Sequence, residues 1–212
     1  KSIDDQIIVT GSHLSKKHGF TLKEIEKDKV KISSKVNLNL KGDSPQDVIN
    51  SMSNGLKGFS NAFTKLNPDL IIILGDRYEI FIAATAAMIM NIPIAHIHGG
   101  EVTEGAYDDS IRHSITKMSH LHFVAAQSYK KRVIQLGENP SSVYVVGGLG
   151  IDAISNTPLL DKSSLEKNLN FKFGRKNLLV TIHPETLEAK NKQIKNLKTT
   201  LAALKTLKDI KF

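Results

Sequence analysis

The fold turns on the stretch Leu70-Ile71-Ile72-Ile73-Leu74-Gly75-Asp76-Arg77-Tyr78-Glu79. Its first five residues are branched aliphatics with no polar alternation, too short a run for a helix and bounded by Pro68 on one side and Gly75 on the other. Such a segment reads as a strand apolar on both sides, which belongs inside a parallel sheet with helices over both faces. The glycine then hands the chain to a helical pattern predicted over Arg77 to Met90, so the unit is strand, tight turn, helix.

Outward from this unit the same alternation repeats. Strands are predicted at Gln6 to Thr10, Lys35 to Leu40, Asp69 to Leu74, Pro93 to Ile97, Leu121 to Ala125 and Val143 to Val146. Between them lie helices predicted at Pro45 to Leu66, Arg77 to Met90, Asp108 to Met118, Ser128 to Leu136 and from Asp152 onward. Ser44 is the expected N-cap of the first, with Pro45 at its first helical position. Asn67-Pro68, Asn91-Ile92-Pro93 and Gly137-Glu138-Asn139-Pro140 supply the stops. The pattern loosens over residues 156–176, and a new unit follows, with a strand at Asn177 to Ile182 and a helix at Lys190 to Leu207. The fold class is therefore α/β, a Rossmann-like parallel sheet. Residues 1–155 are expected to form one domain, 156–176 a connector, and 177–212 the beginning of a second. No initiator Met opens the chain, and it closes at Phe212 where helix gives way to strand, so a fragment is expected.

Composition narrows the function classes. The 212 residues include no Cys and no Trp, which excludes a disulfide scaffold and any Cys-ligated metal or iron–sulfur centre. No apolar run is long enough to span a bilayer, so a soluble chain is expected. The net charge of +8 suggests nucleic acid until its distribution is followed. From Leu160 onward there are 12 Lys/Arg against 5 Asp/Glu, and before that 17 against 16. The charge belongs to the C-terminal part, and without aromatic platforms or a recognition motif no nucleic-acid partner is expected.

In an open parallel sheet, ligands bind beyond the carboxyl ends of the strands. After Leu74 comes Gly75-Asp76-Arg77-Tyr78-Glu79, either an anion-binding turn at a helix N-terminus or an ordinary turn with Asp76 as N-cap and Glu79 completing a capping box. After Ile97 comes His98-Gly99-Gly100-Glu101, and then Asp108-Asp109-Ser110-Ile111-Arg112-His113 opens a helix. His96 and His98 alternate on one strand face, and three readings compete for them: metal ligands, acid–base groups or satisfied structural side chains. The spacing lacks the helical His-Glu-x-x-His pattern, acid–base chemistry with carboxylate partners is favoured, and no metal is assigned. His183-Pro184-Glu185-Thr186 follows the last long strand and adds a further histidine at a strand end.

Together the runs Gly75 to Glu79, His96 to Glu101, Asp108 to His120, Val146-Gly147-Gly148-Leu149-Gly150 and His183 to Thr186 closely resemble the hydrolysing UDP-N-acetylglucosamine 2-epimerases of sialic acid biosynthesis. The resemblance runs from about Gln6 to Glu185. It implies a glycosyltransferase-B-like two-domain enzyme of which this chain is a partial copy, lacking an N-terminal strand and most of the nucleotide-binding domain. It implies conversion of UDP-N-acetylglucosamine and water to UDP and N-acetylmannosamine, through elimination of UDP to a 2-acetamidoglucal and addition of water, with no cofactor. It further implies a cytoplasmic homo-oligomer, dimer or tetramer, whose partner is a nucleotide-sugar substrate and not a membrane.

By that similarity Asp76 and Asp108 are catalytic, Arg77 contacts the nucleotide, Arg112 and His113 belong to the substrate site, and His183 contacts the sugar. Many relatives carry Glu at the position of His98, so the remaining acid–base role falls to His98 or to Glu101. The same chemistry on UDP-N,N'-diacetylbacillosamine, a non-hydrolysing epimerase and a non-catalytic nucleotide-sugar-binding module are the alternatives.

Overall fold

Ser44 begins the longest helix as its sequence demands. Its hydroxyl accepts a hydrogen bond from the Asp47 amide at 3.2 Å and donates to the Asp47 carboxylate at 2.6 Å, while Pro45 occupies the first turn, where no amide hydrogen is needed. The helix ends at Asn67, which takes the left-handed conformation (φ 44°) and returns its amide to the Phe63 carbonyl. In the computed structural model, which describes residues 3–104, 106–183 and 189–211, this helix is α2 (Pro45–Leu66).

The chain divides into two compact units, one of Lys1–Val102 with Asp108–Gly148, the other of Thr103–Tyr107 with Leu149–Phe212. The first unit holds β1 (Ile7–Thr10), α1 (Leu22–Lys27), β2 (Ile32–Val36), α2, β3 (Ile71–Leu74), α3 (Tyr78–Ile89), β4 (Ile94–Ile97), α4 (Asp108–Met118), β5 (Leu121–Val124), α5 (Gln127–Gln135) and β6 (Val143–Val145). Strands β3, β4, β5 and β6 lie side by side in chain order, all parallel, with Ile73 opposite His96 and His96 opposite His122. Strands β1 and β2 pair in parallel with each other as a separate ribbon.

The core forms where α2, α3 and α4 meet the sheet. Ile71, Ile73 and Ile94 pack against Ile82, Ala83, Ala86 and Ala87 of α3 and Ile115 of α4, with Phe59 and Phe63 of α2 behind them. The alanines leave α3 without bulk, so its neighbours approach closely from both sides. A smaller cluster of Val124, Val133 and Val143 seats α5.

The expectation of helices on both faces of the sheet is corrected. Along β3, Ile71 and Ile73 are buried while Ile72 is 66% exposed and Leu74 48%. The reason is topological. A right-handed crossover always places its helix on the same side when strands are added in one direction, and β3 to β6 are added in one direction, so α3, α4 and α5 line one face.

Other boundaries also moved. Strand β2 ends at Val36, not Leu40, although Leu38 is fully buried beyond it.

The second unit holds α6 (Leu149–Asn156), α7 (Lys162–Leu169), β7 (Lys176–Asn177), α8 (Lys190–Lys205) and β8 (Ile210–Lys211). The expected strand over Asn177 to Ile182 reduces to β7, because pairing with β8 reaches only the Leu178 amide, and Leu179 is 98% exposed. The loosened segment 156–176 contains α7, capped by Asp161, whose carboxylate accepts the Ser164 amide at 2.7 Å. Among the described residues no helix is long and apolar enough to cross a membrane.

Candidate functional site

Gly75 ends β3 with φ 86°, a conformation closed to most side chains. Its peptide is held on both sides: the amide donates to the Ile97 carbonyl at 3.1 Å, and the carbonyl accepts from His96 Nε2 at 2.9 Å. Helix α3 then starts with Arg77 at the N-cap position and no side-chain cap. The ordinary-turn alternative therefore fails, because Asp76 is not spent on capping. Its carboxylate instead accepts from Nη2 of Arg112, 36 residues further along the chain on α4. Glu79 is buried and receives Nε and Nη2 of Arg77 at 3.2 and 3.3 Å, so it is not a capping-box residue either. Arg77 keeps two-thirds of its side chain exposed, with its guanidinium held by Glu79.

Arg112 is the hub of this corner. Its side chain is only 6% exposed, and a buried guanidinium is tolerable only with its donors used. Nη1 donates to the Glu101 carbonyl at 2.9 Å and to Asp109 Oδ1 at 3.3 Å, and Nη2 to Asp76. One side chain thus ties the loop after β3, the loop after β4 and the first turn of α4.

His98 lies just past β4 with φ 66°, a strained left-handed conformation for a non-glycine residue. Its amide donates to the Phe123 carbonyl at 2.9 Å, and its ring Nδ1 is 2.7 Å from Glu101 Oε1, both side chains partly exposed. Against a carboxylate, Nδ1 is the protonated nitrogen and Nε2 carries the lone pair. The turn between them needs its glycines. A Cβ on Gly100, where φ is 79°, would lie 2.5 Å from the Tyr129 carbonyl oxygen, and the Gly100 carbonyl accepts from Arg132.

His96 and His98 do not converge on a shared ligand. His96 is wholly buried with both ring nitrogens engaged, by the Gly75 carbonyl and by Thr116 Oγ1 at 3.3 Å, and burial pulls its pKa down to about 4. Asp108 occupies the first position of α4, partly exposed, and makes no side-chain hydrogen bond among the described residues. The residue facing Arg112 is Asp109, which also lies 3.5 Å from His113 Nε2. Its spacing of three residues before Arg112 is the signal that could have singled it out. His183 is exposed in the second unit, and Pro184, Glu185 and Thr186 lie outside the described residues.

The structure therefore brings Asp76, His98, Glu101, Arg112 and His113 into one corner at the carboxyl ends of β3 and β4, with Arg77 at its edge and Asp108 at the adjoining helix start. Two ion-paired or hydrogen-bonded acid–base couples, Asp76 with Arg112 and His98 with Glu101, sit in a corner that Arg77 borders, its side chain two-thirds exposed. That arrangement can bind an anion and move protons at the same place.

Comparison with known proteins gives this corner a lineage. A GDP/UDP-N,N'-diacetylbacillosamine 2-epimerase (hydrolyzing) of Campylobacter jejuni is 49% identical over 99% of this chain and 54% of its own length. A polysialic acid biosynthesis protein P7 of Escherichia coli is 42% identical over 97% of this chain and 53% of its own. The chain thus spans about half the length of these relatives. The crystal structure of the UDP-GlcNAc 2-epimerase from Neisseria meningitidis bound to UDP-GlcNAc shares the fold, with a TM-score of 0.62 and 20% identity over 84% of this chain and 50% of that one. The family model for UDP-N-acetylglucosamine 2-epimerase matches residues 1–212. A match that runs from the first residue to the last answers what the corner of loops alone leaves open: this chain belongs to the UDP-N-acetylglucosamine 2-epimerase family.

Proposed function

We propose that the protein is a hydrolysing 2-epimerase of a nucleoside-diphosphate-linked 2-acetamido sugar, releasing the nucleotide and the free 2-epimeric sugar. The observation that carries this reading is the pairing of His98 with Glu101 beside the Asp76–Arg112 couple, in a chain matched throughout by the family.

In the reaction, a base takes the C2 proton, the C1–O bond breaks with its electron pair leaving on the diphosphate, and a 2-acetamidoglucal remains. Water then adds, its oxygen bonding C1 while C2 gains a proton on the opposite face. His98 Nε2 supplies the lone pair for one proton transfer, with Glu101 fixing the tautomer and balancing the imidazolium that forms. Asp76 or Asp108 serves the opposite face. Arg77 and the N-terminus of α3 receive the leaving diphosphate, whose developing charge is the main electrostatic demand of the elimination. Arg112 holds Asp76 and the Glu101 loop in register, and His113 steadies Asp109. His183 is read as a sugar contact and residues 177–212 as the start of the nucleotide-binding half.

Of the two hydrolytic substrates, N,N'-diacetylbacillosamine linked to a nucleoside diphosphate is supported by the 49% identical Campylobacter relative. UDP-N-acetylglucosamine, giving N-acetylmannosamine for sialic acid, is the second reading, supported by the 42% identical polysialic acid protein. Assays of nucleotide release from GDP- and UDP-linked diacetylbacillosamine and from UDP-N-acetylglucosamine decide between them. Release from UDP-N-acetylglucosamine alone overturns the first choice. An epimeric nucleotide sugar, with no free sugar formed, overturns hydrolysis altogether.

A further inference from the structure

One buried group near the site is assigned no proton transfer, yet it bridges the turn after β3 and helix α4. His96, on β4, is 0% exposed. Its Nε2 lies 2.9 Å from the Gly75 carbonyl, which can only accept, so Nε2 carries the hydrogen. Its Nδ1 lies 3.3 Å from Thr116 Oγ1, and in a neutral ring that nitrogen accepts from the hydroxyl. Thr116 and Arg112 are one turn apart on α4 and face the same way. Helix α4 therefore grips two successive residues of the β3 turn: Asp76 directly through Arg112, and Gly75 through Thr116 and His96. The neighbouring loop is fitted to the same ring, since a Cβ on Gly99 would lie 3.2 Å from His96 Nδ1 and 3.1 Å from Thr116 Oγ1.

We propose that His96 is a positioning residue: a neutral, Nε2-protonated imidazole that relays the placement of α4 to the Gly75–Asp76 turn and so sets the Asp76 carboxylate against the substrate. This rests on the epimerase reading for its effect on turnover, but not for its geometry. Burial, which lowers the His96 pKa to about 4, keeps the ring neutral through the physiological range. A displacement of about 1 Å in a catalytic group costs on the order of 100-fold in rate.

The test uses the protein at its full natural length. Glutamine can keep the Nε2 donor to Gly75, whereas asparagine cannot reach it. His96→Asn is expected to lower kcat about 100-fold with KM within threefold and the pH limits of the rate unmoved, and His96→Gln to recover at least a tenth of wild-type kcat. Thr116→Val, which leaves the ring in place, is expected to lower kcat severalfold. Nitrogen NMR of ¹⁵N-histidine-labelled wild-type protein is expected to show a neutral Nε2-protonated ring for His96 at pH 7. Equal losses in His96→Gln and His96→Asn, unchanged kcat in Thr116→Val, or loss of one limb of the pH profile in His96→Asn overturn the proposal. So does a cationic or Nδ1-protonated ring. If wild-type protein hydrolyses no nucleotide sugar, the functional reading fails, and the NMR result still decides the role of the ring.

Discussion

His98 meets two demands that pull against each other. Its φ of 66° suits glycine, while its ring must be there to reach Glu101. Replacing it by glycine relieves backbone strain of about 1 kcal/mol and returns a similar amount in unfolded-chain entropy. His98→Gly is therefore expected to leave the urea midpoint nearly unchanged while turnover falls by about 1000-fold or more; retained turnover would remove His98 from the chemistry. Glu101→Gln is expected to lower kcat by about 100- to 10,000-fold, because the amide can donate to Nδ1 and so shift the imidazole hydrogen onto Nε2. Near-normal kcat in that variant contradicts the dyad.

His96 carries a stability consequence as well. Its folded pKa of about 4 lies below the ordinary 6.5, so the unfolded chain binds the extra proton between those values. The contribution is intact above about pH 6.5, declines as the pH falls through the window, and is fully lost below about 4, amounting to about 3 kcal/mol. Urea unfolding of wild type and His96→Gln from pH 7 to pH 4 should show a shallower acid decline in the variant; parallel curves refute the assignment. Buried His122, whose pKa is also lowered by desolvation against the opposing pull of Glu138, adds to the decline in both proteins. The sequence could place Asp76 and His98 after strand ends and Arg112 in the helix that follows the second of them. It could not separate a ligand from a strut at His96, because both uses look alike until the acceptors around the ring are known.

At the scale of elements, legibility followed the strength of local signals. Helix α2 was readable to the residue because Ser44, Pro45 and Asn67-Pro68 punctuate it chemically, and α4 because two acidic residues open it. Strand β2 slipped toward the N-terminus, since Lys31-Ile32-Ser33-Ser34-Lys35-Val36 has too few apolar side chains to announce itself. Helix α7 was missed although Asp161 is a fair N-cap, because its apolar positions are sparse. The seating of α5 against the His98 loop gives a prediction at this scale. Gly100→Ala puts a methyl against the Tyr129 backbone at a positive φ and is expected to cost about 2 kcal/mol or more in chemical denaturation. A cost near zero would mean that α5 does not brace the loop.

For the molecule as a whole, the parallel α/β class was readable from the alternation of segments, but not the one-sided covering of its sheet. Strand order is a long-range property. Only once β3 to β6 are known to run in sequence does handedness place α3, α4 and α5 together on the face that buries Ile71 and Ile73, with Ile72 on the other. The substrate is likewise a whole-molecule property, because in the proposed reaction the motifs at β3 and β4 are assigned to C1 and C2 of the sugar and not to its more distant substituents.

In the proposed reaction these motifs drive elimination of a nucleoside diphosphate followed by hydration at C1 and protonation at C2. Running the full-length enzyme in deuterated water with the nucleotide sugar it accepts, and following the products by NMR, decides whether they do so. Free nucleotide and a free 2-epimeric sugar carrying deuterium at C2 are expected. Free sugar that keeps its original C2 hydrogen and configuration, or an epimeric sugar still bound to its nucleotide, contradicts the proposed reaction.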